Sequence, residues 1–225
     1  MKAAVYCGTR NLYADMVTAA KSLAIHSDVD RIYFLIEDDE FPFELPPYVR
    51  LINVSDQPFF DKSGPNYKNG WTYMVLMRAA LHKIFPSIDR IVSLDVDTIV
   101  VQDVSNFWDF DISNYYFAGC KEPYKSKFGL YINAGVMLLN LEKLRDGKGD
   151  EIVDALNTKF FPFNEQDCIN QLCSGTILEI PSDYNANNWT VPTTTPKIIH
   201  FAAIPKWQNA PLVKEYAKMD WPCKI

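Results

Sequence analysis

Short, nearly all-apolar runs recur along this chain, and several are followed by stretches whose apolar residues return with a helical period. That alternation constrains the fold more than any other feature. Ala3–Cys7 reads as a strand, and residues 12–27 read as a helix with Met16, Ala19, Ala20 and Leu23 on one face. Arg31–Ile36 and residues 49–54 read as the next strands. Residues 73–85 read as a helix that Pro86 stops, because proline cannot continue the hydrogen-bond ladder. Arg90–Leu94 is almost continuously apolar, as a strand covered on both faces must be. Further strands are expected at 116–119, 136–139, Ile177–Ile180 and 197–200. The alternation implies an α/β chain with a mainly parallel sheet and helices on both faces. Ligands of such sheets sit at the carboxyl ends of the strands. That directs attention to Cys7-Gly8-Thr9 and to Asp95-Val96-Asp97. The loop 182–196 is rich in Asn, Thr and Pro, and connections of that length usually carry function or move.

A length of 225 residues suits one domain with a sizeable core, or a domain with a small appendage. With 48 % apolar and 22 % charged residues the composition is that of a globular protein. The formal net charge of −6 argues against a nonspecific binder of nucleic acid or anionic membrane. The first residues lack the long apolar segment of a signal peptide, and no run approaches the roughly 18 apolar residues of a membrane span. The five cysteines form no CxxC pair, which argues against a disulfide framework or structural zinc and for buried free thiols in a cytoplasmic protein.

Asp95 and Asp97 come directly after the Arg90–Leu94 strand. Residues two apart in an extended segment point the same way, so the two carboxylates can converge. Converging carboxylates repel, and a divalent cation with a taste for hard oxygen ligands relieves that repulsion. Two other readings use the same residues. A pair of turn or capping aspartates at a strand end is one. An aspartyl-phosphate phosphatase is the other, since Asp95-Val96-Asp97-Thr98-Ile99 nearly fits its first motif and a GDxxxD occurs later, at Gly149 to Asp154. That second motif comes after a charged turn instead of an apolar strand, which weakens the phosphatase reading. Arg78 interrupts the apolar face that Met74 and Leu81 share, so its charge needs a partner such as a diphosphate or a carboxylate, unless the side chain snorkels to solvent from the edge of the stripe.

Several motifs in order make the chain resemble the retaining glycosyltransferases of family 8, the glycogenin and bacterial lipopolysaccharide galactosyl- and glucosyltransferase group, over Ala3 to about Trp207. The resemblance implies a GT-A fold, a Rossmann-like sheet in a single domain. Its nucleotide-binding part would lie at about 1–101 and its sugar- and acceptor-binding part at about 102–225. It places Cys7, Thr9 and Tyr13 at the uridine, with helix packing the alternative for Tyr13, and aims Arg78 at the donor. Tyr131-Ile132-Asn133-Ala134-Gly135-Val136 is similar to the family's FNAGV segment, with Asn133 on the donor sugar and Ala134 and Gly135 small enough for close backbone approach. Asn164-Glu165-Gln166-Asp167 is similar to its DQD segment. There Gln166 would lie beneath the anomeric carbon, with Glu165 and Asp167 as sugar contacts. Asn164 is also a candidate helix cap. His200 to Trp207 is similar to HFxGxxKPW, with His200 the third metal ligand and Lys206 on the diphosphate. Ala203 replaces the glycine there, and Pro205 precedes the lysine.

The resemblance also implies transfer of a hexose, glucose or galactose, from a UDP-sugar with retention. Asp95, Asp97 and His200 would hold the metal, with Asp95 and Val96 also at the donor. Mixed oxygen and nitrogen ligation favours Mn²⁺ over Mg²⁺. Arg78 and Lys206 would add positive charge at the leaving group. The acceptor class (glycan, lipid or protein) stays open, as does a homodimer. A non-catalytic sugar-nucleotide binder is the remaining alternative. The chain ends soon after Trp207 without a basic, aromatic tail, which favours a soluble enzyme.

Overall fold

Alternate side chains of a strand face opposite sides of its sheet. In β1 (Ala3–Cys7), Ala3 and Val5 join one apolar cluster, while Ala4 and Tyr6 join another. The computed structural model, which describes residues 1–123 and 129–224, extends this division across the molecule. The other strands are β2 (Arg31–Ile36), β3 (Val49–Asn53), β4 (Arg90–Leu94), β5 (Thr98–Val100), β6 (Phe117–Lys121), β7 (Ile132–Asn140), β8 (Ile177–Ile180) and β9 (Ile198–His200). The α-helices are α1 (Tyr13–Ile25), α2 (Leu81–Ile84), α3 (Leu141–Leu144), α4 (Lys148–Thr158), α5 (Asn164–Leu172) and α6 (Pro211–Lys218). Met16, Ala19, Ala20 and Leu23 of α1 are fully buried against one sheet face. Burying each of the two larger side chains contributes about 1.5–3 kcal/mol. Ile152 and Leu156 of α4 and Ile169 of α5 close the other face.

One seven-stranded sheet runs in the order β3-β2-β1-β4-β7-β6-β8 among the described residues. Strands β3, β2, β1 and β4 are mutually parallel, and β7 is antiparallel to both its neighbours. The sheet is therefore mixed and mainly parallel, with helices on both faces, as expected. Chain order reverses between β1 and β4, which opens a crevice beyond their carboxyl ends. Because β7 runs the other way, its first residues lie beside the end of β4, with Leu94 opposite Val136. A second, two-stranded ladder pairs β5 with β9 and sets Thr98 opposite His200.

Three elements differ from expectation. Residues 73–85 are not one α-helix: Tyr73–Ala80 is a 3₁₀ spiral that passes into α2. At three residues per turn, Thr72, Val75 and Arg78 stack on one side, and all three line the same cavity. Strand β7 begins four residues earlier than 136, because pairing with β4 and β6 overrides the poor strand propensity of Asn133, Ala134 and Gly135. The loop 182–196 contains a 3₁₀ turn at Ser182–Asn185. Of the cysteines, Cys120, Cys168 and Cys173 are buried free thiols and Cys7 is half-buried, whereas Cys223 is exposed, against expectation. Among the described residues no helix is long and apolar enough to cross a membrane.

Candidate active site

The end of β4 passes straight into Asp95, whose amide donates to the Gly135 carbonyl at 2.7 Å. Two residues on, the Asp97 carbonyl accepts from the Phe201 amide at 2.9 Å, next to the β5–β9 ladder. The first bond joins groups 40 residues apart in sequence and the second groups 104 apart. His200 Nε2 lies 3.2 Å from Asp97 Oδ1 and 3.6 Å from Asp95 Oδ2. One ligand atom from each of the three residues falls within 4.8 Å of the others. Burial pushes the Asp95 carboxyl above its ordinary range. Burial acts the same way on Asp97, but the charge and hydrogen bond of His200 outweigh it and hold that carboxyl low. Burial alone would lower the His200 imidazole, and the two aspartates raise it instead.

The surroundings fit a divalent cation. His200 Nδ1 lies 2.9 Å from Asn185 Oδ1, and a neutral imidazole that donates there would turn the Nε2 lone pair to a cation held by the carboxylates. Asn185 is itself held, since its Nδ2 donates to Asn133 Oδ1 at 2.9 Å and its Oδ1 accepts from Asn187 Nδ2 at 2.8 Å. Gly135 leaves the room this needs. A Cβ there would lie 2.7 Å from His200 Nδ1 and 2.8 Å from Asp95 Oδ2, closer than real contacts allow.

Arg78, only 6 % exposed, takes its partners from the protein. Its Nη1 donates to Asp95 Oδ1 at 2.6 Å and to the Ala134 carbonyl at 2.8 Å, and its Nη2 pairs with Glu165. Of the two partners expected for it, the structure supplies carboxylates. One Asp95 oxygen is thereby occupied, and the other faces His200. Burial pushes the Glu165 carboxyl up to about 7 against the pull of Arg78.

Asp95, Asp97, His200 and Arg78 line one cavity of about 530 Å³, and with them stand Cys7, Val96, Asn133, Ala134, Glu165 and Gln166. Burial pushes the Cys7 thiol up to about 12. Gln166 is fixed at both ends of its amide. Its Oε1 accepts from the Ala134 amide at 2.9 Å, and its Nε2 donates to Tyr131 Oη at 3.1 Å and Glu122 Oε1 at 3.3 Å.

Four expected residues stand apart from this lining. The Thr9 hydroxyl donates to Asn11 at 2.7 Å. Tyr13 is 1 % exposed, with its ring 4.8 Å from that of Phe41 and its hydroxyl near Asp38 and the Glu37 amide. Asp167 accepts from the Phe163 amide at 2.9 Å at the start of α5 and from Tyr131 Oη at 2.6 Å. The helix is thus capped by Asp167 reaching back. Asn164 does not cap it and takes a left-handed backbone with φ 47°. Lys206 is exposed on a loop whose neighbours Ala202, Ala203 and Trp207 do line the cavity. Ala203 and Lys206 both have left-handed backbones, at φ 56° and 55°. The position expected to carry glycine therefore does hold a glycine-favouring conformation, at a cost to alanine of about 1–2 kcal/mol.

Sequence reasoning missed Glu122, Asn185 and Asn187. Glu122 is 4 % exposed at the cavity wall, accepts from Asn133 Nδ2 at 2.7 Å, and burial raises its carboxyl. It stands after β6 as Asp95 stands after β4, so the strand-end rule could have found it. The asparagines had no comparable signal. The GDxxxD match at Gly149 to Asp154 falls on α4, where Asp150 pairs with Lys83 and neither aspartate lines the cavity. That removes the second motif from the phosphatase reading.

Comparison with known proteins identifies the fold and the family. The sequence is similar to glycosyltransferase GlyE of Streptococcus pneumoniae, with 26 % identity over 149 residues, 63 % of this chain and 36 % of that protein. It is similar to the lipopolysaccharide 1,2-glucosyltransferase of Escherichia coli, with 26 % identity over 163 residues, 58 % of this chain and 48 % of that protein. The matches span less than half the length of the curated relatives. The fold superposes on the crystal structure of galactosyltransferase LgtC in complex with donor and acceptor sugar analogues. The TM-score is 0.70 at 19 % identity, over 96 % of this chain and 95 % of that one, so the fold is GT-A. The sequence profile of Glycosyl transferase family 8 matches residues 4–208, and the chain belongs to that family.

Proposed function

We propose that the chain transfers a hexose, glucose or galactose, from a UDP-sugar to an acceptor with retention at the anomeric carbon, using Mn²⁺ with Mg²⁺ as the alternative. The observation that carries this reading is the convergence of Asp95, Asp97 and His200 on one point of a cavity that also holds Asn133 and Gln166. A divalent cation held by those three side chains would neutralise charge on the departing diphosphate, and mixed oxygen and nitrogen ligation suits Mn²⁺.

The chain's own residues supply the rest. Arg78 fixes one Asp95 oxygen and so orients the other toward His200. Lys206 adds positive charge for the phosphates from its loop. Cys7 is at the uridine end of the cavity, with Thr9 and Tyr13 behind it. Asn133 takes a sugar hydroxyl. Gln166 is an amide pinned by three hydrogen bonds and offers no carboxylate to attack the sugar. The cavity's other carboxylates are engaged, Glu122 by Asn133 and Gln166, and Glu165 by Arg78. In this reading the acceptor hydroxyl therefore attacks the anomeric carbon on the face the diphosphate leaves, its proton passes to a phosphate oxygen, and the bond from carbon to phosphate oxygen breaks. The free thiols suit a reducing compartment, so a cytoplasmic location is part of the proposal.

The test is release of UDP from UDP-glucose and UDP-galactose with saturating Mn²⁺. Asp97→Asn is expected to lower it by at least about a hundredfold, roughly the cost of removing a charged transition-state partner. Near-normal release by that variant refutes the metal role. Binding of UDP-sugars without any Mn²⁺-dependent turnover would instead favour a non-catalytic binder.

A further inference from the structure

The polar groups behind His200 take their direction from groups that cannot turn round. A backbone amide only donates, whereas a side-chain amide offers N–H at one end and a carbonyl at the other. The Gly135 amide lies 2.9 Å from one end of the Asn133 side chain, so that end is Oδ1. Oδ1 only accepts, so the Asn185 atom 2.9 Å from it is Nδ2. The Trp189 amide, 2.6 Å from Asn187 Oδ1, pins that side chain in the same way and turns its Nδ2 to Asn185 at 2.8 Å. The two backbone amides thus agree, through different neighbours, on how Asn185 lies. Its Nδ2 faces Asn133, and its Oδ1 faces Asn187 and the imidazole.

Asn185 Oδ1 is 2.9 Å from His200 Nδ1, and a carbonyl oxygen has no proton to give. The imidazole proton therefore belongs on Nδ1. The competing assignment lets Nδ1 accept from Asn187 Nδ2 at 3.3 Å. It would set the Nδ1 lone pair against the Asn185 oxygen at the shorter distance, 2.9 Å. Asn185 is fully buried, and His200, Asn133 and Glu122 are nearly so, which keeps water from satisfying a reversed link. At its far end the chain closes on Glu122, whose Oε1 accepts from Asn133 Nδ2 at 2.7 Å.

We propose that Asn185 is a positioning residue through which the cavity wall at Glu122 and Asn133 sets the tautomer of His200. With its proton held on Nδ1, a neutral ring keeps its lone pair on Nε2. That is the atom 3.2 Å from Asp97 Oδ1 and 3.6 Å from Asp95 Oδ2. Asp97 by itself favours a proton on Nε2, and the asparagine chain outweighs it. The ring is thereby prepared for a cation before one arrives. Asn133, which faces the donor sugar, and the metal ligand His200 depend on one chain without sharing a ligand. The proposal rests on the metal reading of Asp95, Asp97 and His200.

Two measurements on the chain without nucleotide test it. Ring ¹⁵N–¹H spectra of the metal-free protein locate the proton on the neutral His200 imidazole. The sequence has three histidines, so His200→Gln assigns the signal by its loss. The proton is expected on Nδ1 in the parent and in Asn185→Asp, which keeps an oxygen at that place. It is expected on Nε2, beside Asp97, in Asn185→Leu. Mn²⁺ titration followed by electron paramagnetic resonance should show affinity about 10–100-fold weaker in Asn185→Leu, the usual effect of losing the partner that orients a ligand, and no more than about threefold weaker in Asn185→Asp. Asn133→Leu removes one of the two pins and should weaken Mn²⁺ binding severalfold. A proton on Nε2 in the parent overturns the proposal, whether or not the variants fold. So does parent-like Mn²⁺ affinity in Asn185→Leu or in Asn133→Leu. Equal losses in Asn185→Leu and Asn185→Asp also overturn it, because they mark Asn185 as a packing residue. A parent with its proton on Nδ1 that binds no Mn²⁺ defeats the metal reading, and the positioning role falls with it.

Discussion

Gly135→Ala puts a methyl group where the structure has no room for one. The new Cβ would lie 2.7 Å from His200 Nδ1 and 2.8 Å from Asp95 Oδ2, whereas ordinary contact begins at 3.4 Å. The ring's Cε1 atom would lie closer still, so the imidazole must retreat by more than about 1 Å, well outside the roughly 0.2 Å tolerance of a metal–ligand distance. The Asn185 bond to Nδ1 either breaks or moves with it. Disturbing the partners that orient a ligand costs about 10–100-fold in metal affinity, or about 1.4–2.7 kcal/mol. Crowding a packed site adds about 1–3 kcal/mol of lost stability. Mn²⁺ titration by calorimetry or electron paramagnetic resonance reads the first effect, and thermal melting reads the second. Gly119→Ala is the control. Its Cβ would meet the Ile132 Cδ1 atom at 2.6 Å, and neither residue lines the cavity, so it should lose stability at unchanged Mn²⁺ affinity. A folded Gly135→Ala protein with the parent's Mn²⁺ affinity would refute the idea that this glycine clears space for the cluster.

Buried charge sets two further outcomes. Arg78→Met leaves Asp95 and Glu165 without their cation, which costs about 3–5 kcal/mol and lowers the melting temperature by roughly 6–20 °C. Adding Glu165→Gln to it should recover part of that loss, and a melting point within about 2 °C of the parent for Arg78→Met alone would contradict the pairing. His82 is 4 % exposed, and neither ring nitrogen has a hydrogen-bond partner. Burial, only partly offset by Asp150, holds its pKa below 6.5. The unfolded chain therefore takes up the proton first, so stability is full above pH 6.5 and falls as the pH drops toward the lowered folded value. Melting curves between about pH 5 and 8 should show that decline in the parent and a shallower one in His82→Gln. Equal slopes would remove His82 as its source.

The strands were readable because burial on both faces leaves few polar residues to blur a run such as Arg90–Leu94, whose middle is Ile91-Val92. The acidic pair was readable for a related reason: two carboxylates directly after such a run stand where ligands bind. His200 and Gln166 became legible only through the resemblance, since a lone histidine or glutamine carries no period. What stayed hidden was polar and tertiary. Thr72, Val75 and Arg78 recur every third residue, a spacing that a 3₁₀ spiral and an α-helix share closely in sequence, so only the packing separates them. Asn185 and Asn187 act through the imidazole they hold, and their loop composition predicts turns equally well. Thr9, Tyr13, Asp167 and Lys206 were placed by likeness of motif, and the structure gives the first three other partners.

The β5–β9 ladder has only three residue pairs, and it carries His200 to the two aspartates. The seven-stranded sheet holds Asp95 independently of it. Local opening of so short a ladder takes far less free energy than unfolding the sheet, so the third ligand can detach while the first stays put. A cation that bridges the two would act as a clasp across that joint. Its binding energy would slow hydrogen exchange at Thr98 to Val100 and Ile198 to His200, and the strands of the main sheet would gain little protection from it.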